Sequence, residues 1–69
     1  MVSEEKTLKN LRNSKNVSQR IIATELGFSR PFYTMLENGR RKPSLDTVIK
    51  LADYFQCSIE ELLIANKWK

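Results

Sequence analysis

The sequence predicts an all-α protein of five helices that form one compact domain. Apolar residues recur at helical spacing in several segments, serines stand before these segments where N-caps are expected, and no segment alternates as a strand does. The chain has 69 residues, of which 41% are hydrophobic, enough for one small core. Residues 1–69 are therefore expected to form a single domain, with 65–69 as a C-terminal tail.

The first helix is predicted from Glu4 to Asn13. Glu4 and Glu5 stand in its first turn, where the helix dipole favours acidic side chains. Leu8 and Leu11 are three residues apart, so they are predicted to face the core.

The second helix is predicted over residues 19–26, with Ser18 as its N-cap. Gly27 follows the last apolar residue and is expected to end the helix, because glycine readily adopts left-handed angles. The apolar residues that share one face of this helix are Ile22, Ala23 and Leu26.

The third helix is predicted to begin near Ser29 and to close at Asn38-Gly39. Asn-Gly can also mark a hairpin, but neither flank alternates here, so the end of a helix is favoured. Pro31 leaves two starts open. Either Ser29 caps the helix through the Phe32 amide, or the helix begins with Pro31 at its first position.

Ser44 is predicted to cap a fourth helix, and "SIEE" at 58–61 predicts a capping box that opens a fifth. In that box, Ser58 accepts from the Glu61 amide and the Glu61 side chain accepts from the Ser58 amide. The predicted buried stripe of the fourth helix consists of Leu45, Val48, Ile49, Ala52 and Phe55. The predicted buried face of the fifth consists of Ile59, Leu62 and Leu63.

Charge is divided unevenly along the chain, whose net charge is +4. Residues 6–42 contain nine Lys and Arg against Glu25 and Glu37, a balance of +7, whereas residues 43–66 have a balance of −3. This division favours one surface that binds a polyanion.

The composition gives no support for an enzyme. There is no His, no pair of carboxylates on one helix face, no glycine-rich phosphate loop and no metal-ligand cluster. Cys57 is the only cysteine and is expected to pack in the core rather than to act as a nucleophile. We therefore predict no catalytic residue, metal, cofactor or small-molecule ligand. No apolar run approaches the ~20 residues that cross a bilayer, so no membrane partner is predicted, and the expected location is the cytoplasm.

The second and third helices, over about residues 18–38, are joined by a very short turn at Gly27 and are expected to cross steeply as a helix-turn-helix. Such a unit can present its second helix to the major groove of DNA. The sequence resembles the Cro/CI-type, or Xre-type, helix-turn-helix family of phage repressors and bacterial regulators. The resemblance runs from "LKNLRNSKNVSQ" through "ATELGFSR" and "LENGRRKPSLDTVIKLADYF" to "CSIEELL". It implies a lambda-repressor-like domain that regulates transcription, in a repressor-like manner, by sequence-specific binding of double-stranded DNA.

By this resemblance, the recognition helix spans 29–38 and carries the base-reading side chains. Tyr33 and Leu36 are predicted to face the core, with Phe28 beside them. The residues predicted to meet bases are Arg30, Pro31, Phe32, Thr34 and Met35. Arg30 can bond guanine through two atoms or contact a phosphate, and both roles stay open. Pro31 departs from the small polar residue usual in the family, which favours apolar contacts of Phe32 and Met35 with thymine methyl groups.

Phosphate contacts are predicted from the rim of this helix and from the basic loop after it. The predicted residues are Gln19, Ser29, Asn38, Gly39, Arg40, Arg41, Lys42 and Arg12. The resemblance also places a salt bridge between Arg12 and Glu37. A bridge without a DNA role and an additional phosphate contact of Arg12 are both open.

Homodimers on a palindromic operator are expected, because one such module rarely binds DNA tightly enough alone. The candidate dimer residues are Leu63, Ile64 and Trp68, although Trp68 can equally fold back onto its own core. The alternative function is an antitoxin-like or adaptor module that binds another protein. Its candidate contacts are Ile21, Phe32, Met35 and Trp68.

Overall fold

The computed structural model describes residues 6–68. Across this range the chain forms five α-helices and no strand, which confirms the predicted all-α class. The helices are α1 (Leu8–Ser14), α2 (Gln19–Leu26), α3 (Arg30–Glu37), α4 (Leu45–Phe55) and α5 (Ile59–Ala65). None of the helices in the described range is long and apolar enough to span a bilayer.

One hydrophobic cluster holds the helices together. α2 packs against α3 and α4, α4 packs against α5, and α1 contacts α3. Each helix contributes at least one fully buried side chain, and Trp68 joins them from beyond α5. The largest fully buried side chains are Tyr33, Leu8, Ile22, Leu36, Leu51, Leu62 and Val48.

A hydroxyl side chain caps the N-terminus of every described helix. The caps are Thr7, Ser18, Ser29, Ser44 and Ser58, and each accepts a hydrogen bond from an amide in the first turn. The capping box predicted for α5 is present, with both of its bonds. In α3 the Ser29 hydroxyl accepts from the Phe32 amide at 3.2 Å and Arg30 is the first helical residue. Of the two starts left open, the first is confirmed.

The start of α1 differs from the sequence prediction. The helix begins at Leu8 rather than Glu4, because Thr7 has an extended backbone and its side chain caps the first turn. Glu4 and Glu5 lie outside the described residues. The Leu8 amide donates to Oδ1 of Asn66, 58 residues away, at 3.0 Å. The beginning of α1 is therefore satisfied partly by a tertiary contact.

The buried face of α4 also differs from the predicted stripe. Leu45 is 64% exposed and Ile49 is 45% exposed, whereas Leu51, which the prediction omitted, is fully buried. The buried face consists of Val48, Leu51, Ala52 and Phe55. α4 carries apolar residues on more than one side, and the side covered by its neighbours α2 and α5 is the buried one. On α5, Ile59 is likewise exposed rather than buried.

The C-terminal turn after α5 buries Trp68. Its side chain is 5% exposed within the core, so its placement on a dimer surface is wrong and the alternative, folding back onto the core, is confirmed. Leu63 is partly buried against the same cluster, and Ile64 is 56% exposed. Of the three candidate dimer residues, only Ile64 lies fully on the surface.

Candidate nucleic-acid interface

The turn between α2 and α3 depends on the backbone of Gly27. This residue has φ 78° and ψ 25°, in the left-handed region, and no atom lies near the position that a side chain would occupy. Conformation rather than space therefore favours glycine here. The turn is closed by the Phe28 amide, which donates to the Ala23 carbonyl at 2.8 Å. Ala23 is buried, and its small side chain permits α2 and α3 to pack closely.

α3 presents its first turn to solvent and its inner side to the core. Tyr33 and Leu36 are at most 1% exposed, as the sequence predicts. Arg30 and Pro31 are exposed at the other side of the helix. The remaining candidate base readers, Phe32, Thr34 and Met35, are half-buried.

An aromatic pair connects α3 to the basic segments near it. The rings of Phe28 and Phe32 meet edge to face, with their centroids 5.1 Å apart. The Arg41 guanidinium lies 5.2 Å from the centroid of Phe32, and Lys50 Nζ lies 5.6 Å from that of Phe28. Cations at these distances are attracted to the ring faces. The ring of Phe32 is therefore already in contact with Phe28 and Arg41, and the second of these contacts keeps Arg41 beside α3.

The ion pair between Arg12 and Glu37 is present and joins α1 to the last residue of α3. Arg12 Nε lies 2.6 Å from Glu37 Oε2, and Nη2 donates to Oε1 at 3.3 Å. Nη1 donates to the Val17 carbonyl at 3.1 Å. The Arg12 side chain is 14% exposed and that of Glu37 is 4% exposed. The bridge is therefore largely shielded from water.

The surroundings of Glu37 keep it ionised. Burial alone raises the pKa of this carboxyl, but hydrogen bonds from Arg12 and Gln19 outweigh burial, and the pKa lies below its ordinary value. The same hydrogen bond with Glu37 raises the pKa of Arg12. Both partners therefore stay charged at neutral pH.

Gln19 extends this network to the middle of α3. Its Nε2 donates to Glu37 Oε1 at 2.9 Å, and its Oε1 accepts from the Thr34 hydroxyl at 2.7 Å. The sequence prediction placed Gln19 and Thr34 separately, as a phosphate contact and a base reader. The structure brings them together, and the Thr34 hydroxyl is directed to a neighbouring side chain.

The loop after α3 is a basic surface. All of its candidate phosphate-contacting residues are exposed: Asn38, Gly39, Arg40, Arg41 and Lys42. Within residues 6–68, none of the three basic side chains forms an ion pair. Their charge is therefore available to an anion, and the Arg40 amide, which donates to the Met35 carbonyl at 2.9 Å, holds the loop against the end of α3. In the described part of the chain, no group of side chains is placed to hold a metal ion.

Comparison with known proteins identifies the family of this chain. The sequence model of a family described as "Helix-turn-helix" matches residues 8–62, which include all of α1 to α4 and the start of α5. The chain belongs to the Cro/CI-type (Xre) helix-turn-helix family. Members of this family are DNA-binding transcriptional regulators with a helix-turn-helix.

Relatives from bacteria and archaea are named as regulators of transcription. The HTH-type transcriptional regulator AnsR of Bacillus subtilis is 40% identical over 62 residues, which cover 90% of this chain and 53% of AnsR. The cryptic phage CTXphi transcriptional repressor RstR of Vibrio cholerae is 34% identical over 61 residues, covering 88% of this chain and 53% of RstR. The HTH-type transcriptional regulator MJ0272 of Methanocaldococcus jannaschii is 37% identical over 57 residues, covering 83% of this chain and 86% of MJ0272. This chain thus spans about half the length of AnsR and RstR. No solved structure gave a significant match.

Proposed function

We propose that this helix-turn-helix protein is a sequence-specific regulator of transcription, repressor-like in action, which inserts α3 into the major groove of double-stranded DNA. One observation carries the proposal: α3 begins with exposed Arg30 and Pro31, and the basic loop after α3, whose Arg41 lies against Phe32 of the first turn, has three basic side chains that form no ion pair within residues 6–68. The major groove is wide enough for one helix, and cations beside that helix can neutralise the flanking phosphates. One relative is named as a transcriptional repressor, which supports repression rather than activation.

Arg30 is the proposed main reader of base sequence. It stands at the exposed beginning of α3, where side chains of a recognition helix reach base edges, and its guanidinium can bond O6 and N7 of one guanine together. Pro31 and the half-buried Phe32 and Met35 are proposed to contact thymine methyl groups. The Thr34 hydroxyl is directed to Gln19, which favours a positioning role over direct base contact.

The phosphate contacts are proposed on both sides of α3. Gln19 begins α2, and its Nε2 carries a second N–H besides the one bonded to Glu37, which suits a phosphate oxygen. The other proposed contacts are exposed residues: Ser29 in the turn before α3, Asn38 at its end, and Gly39, Arg40, Arg41 and Lys42 in the loop after it. Arg12 uses its guanidinium on Glu37 and Val17, which favours the structural role for this side chain.

We propose that two copies bind a palindromic operator in the cytoplasm without a small-molecule ligand. Two-fold symmetry would place their recognition helices in successive major grooves, about one helical turn apart. Ile64, 56% exposed on α5, remains a candidate contact between copies. Analytical ultracentrifugation with duplexes that carry one or two half-sites tests this arrangement, since a dimer should bind the two-site duplex as one cooperative unit.

Selection of binding sites from random DNA, followed by anisotropy titrations, tests the central proposal. Arg30→Ala should lose about 1–3 kcal/mol on the selected site and relax preference at one base position. Arg40→Ala should weaken all sites alike and reduce the salt slope by about 1. Lys9→Ala serves as the control, because Lys9 is exposed on α1, outside the elements of the proposed interface. If no sequence is enriched, or if Arg30→Ala and Lys9→Ala behave alike, the proposed reading of bases is refuted.

Exposed apolar side chains support a second candidate, an antitoxin-like or adaptor module. Ile21 is 38% exposed on α2, and Leu45 is 64% exposed on α4. Trp68 no longer counts among the candidate contacts, because it is buried. Salt separates the two functions: DNA binding should weaken steeply as salt rises, whereas an apolar protein contact hardly responds.

A further inference from the structure

The C-terminal turn, residues 66–68, lies beside the basic loop after α3, and the two form a hollow. The hollow has a volume of about 410 Å³. It is lined by three residues of the loop and three of the turn: Gly39, Arg41 and Lys42, then Asn66, Lys67 and Trp68. Three of these six residues are basic, and among the described residues that line it there is no acidic side chain. A cleft lined by one sign of charge concentrates the opposite charge in its interior.

Lys67 is held in this place from both sides. The residue before it, Asn66, accepts from the Leu8 amide and donates to the Lys6 carbonyl at 3.2 Å. The residue after it, Trp68, is buried in the core, and its amide donates to the Leu63 carbonyl at 3.0 Å. Lys67 itself is exposed and has φ 58°, a left-handed angle that is uncommon outside glycine. The backbone of this turn is therefore anchored on both sides of Lys67, and the exposed Lys67 side chain extends from a fixed position.

Arg41 connects the hollow to the recognition helix. Its guanidinium lies 5.2 Å from the centroid of Phe32 on α3, and the same residue lines the hollow. Within residues 6–68, Arg41, Lys42 and Lys67 form no ion pair. Among the described residues the hollow is therefore lined by cations without an acidic partner, and it continues the proposed DNA surface from the loop to the C-terminal turn.

We propose that this hollow binds a phosphodiester group of the DNA backbone, with Lys67 as a contact in addition to Arg41 and Lys42. The inference rests on the proposed function, because it requires that α3 meets DNA. It adds the C-terminal turn to the interface, which otherwise consists of α2, α3 and the loop after α3. It also gives a role in placing a DNA contact to Trp68, which is buried in the core, and to Asn66, which bonds the backbone of Lys6 and Leu8.

The test compares the salt dependence of DNA binding in two matched variants, Lys67→Gln and Lys9→Gln. Each removes one exposed lysine, but Lys9 lies on α1 and does not line the hollow. Each phosphate contact contributes about 0.9 to the slope of log affinity against log salt. We expect Lys67→Gln to lower the slope by about that amount on every sequence, Lys67→Arg to restore it, and Lys9→Gln to leave it unchanged. Thermal unfolding of each variant verifies that the fold is intact.

The outcomes separate this inference from the proposed function. If wild-type binding does not weaken with salt, the proposed function fails. If it weakens normally but Lys67→Gln and Lys9→Gln have equal slopes, only the role of Lys67 is refuted. An NMR titration with inorganic phosphate distinguishes the source of the anion. Saturable shifts of the Gly39 and Lys67 amides with phosphate alone, combined with equal slopes, would mean a site for free anions and would also overturn the proposal. Equal slopes with weaker self-association of Lys67→Gln would assign the hollow to a carboxylate of a second copy, again against it.

Discussion

Replacing Arg12 with methionine tests how much the shielded ion pair stabilises the fold. The substitution removes three hydrogen bonds, two of them to Glu37, and leaves a carboxylate that is 4% exposed. Removing one partner of a buried pair costs about 3–5 kcal/mol. Arg12 is 14% exposed and Gln19 still donates to Glu37, so we expect a cost at or somewhat below the lower limit of that range, about 2–3 kcal/mol.

That loss is large for a chain of this size. A domain of 69 residues is expected to have a free energy of unfolding of roughly 3–10 kcal/mol. For small domains each kcal/mol corresponds to a change of about 4–8 °C in the melting temperature, so Arg12→Met should melt at least about 8 °C below the wild type. Urea titrations followed by far-UV circular dichroism measure the free energy directly. Arg20→Met is the matched control, because it removes the same charge from an exposed site and should change the stability by less than about 0.5 kcal/mol.

The pH dependence gives an independent test of the cause. In the wild type the folded pKa of Glu37 lies below its ordinary value of 4.5, so stability from the ionised pair is present above that pH and is lost as the pH falls through the folded pKa. In Arg12→Met, burial still raises the pKa of Glu37, but the hydrogen bonds from Arg12 no longer lower it. Protonation of Glu37 at low pH should therefore remove the buried charge and reduce the variant's loss of stability. The difference between variant and wild type should therefore shrink from about pH 7 to about pH 3. A difference that is equal at the two pH values, or a loss no greater than that of Arg20→Met, would refute this explanation.

Three smaller substitutions test the elements that place α3. Gly27→Ala should cost about 1–2 kcal/mol through its left-handed backbone alone, since nothing crowds the new methyl group, and Gly27→Asn should cost less; equal costs would contradict a conformational cause. Ser29→Ala should cost about 1 kcal/mol by removing the cap, whereas Ser29→Gly should cost only a few tenths, as urea titrations would measure. Thr34→Val should cost about 0.5–1.5 kcal/mol by removing the hydroxyl that donates to Gln19, and Thr34→Ser should retain that bond; a loss of stability in Thr34→Ser as large as in Thr34→Val would exclude this role.

The helix starts after Ser18, Ser29 and Ser58 were predictable because their signals are local. Each cap bonds an amide three residues away, so a short window of sequence contains both partners. The capping box is the clearest case, since Ser58 and Glu61 satisfy each other within one turn. The ion pair between Arg12 and Glu37 was different. It was predicted from the family resemblance, because nothing in local sequence joins residues 25 positions apart.

The errors lie where the outcome depends on which surfaces neighbouring helices cover. α4 has apolar residues on several sides, and periodicity alone did not distinguish Leu51, which is buried, from Leu45 and Ile49, which are exposed. The contact of Asn66 with the Leu8 amide joins the two ends of the chain and has no local signal. Trp68 follows the last predicted helix, so the sequence left its direction open.

The network around Glu37 means that stability and the candidate DNA surface depend on the same atoms. Gln19 holds Glu37 with its amide nitrogen and Thr34 with its amide oxygen, and it is also a proposed phosphate contact. Removing its side chain should therefore lower both the free energy of unfolding and DNA affinity. Arg40, exposed and without an ion pair within residues 6–68, should affect only affinity. A variant of Gln19 that binds DNA weakly consequently says little about phosphate contact until its stability has been measured, whereas the salt slope of an Arg40 variant reports on the interface directly.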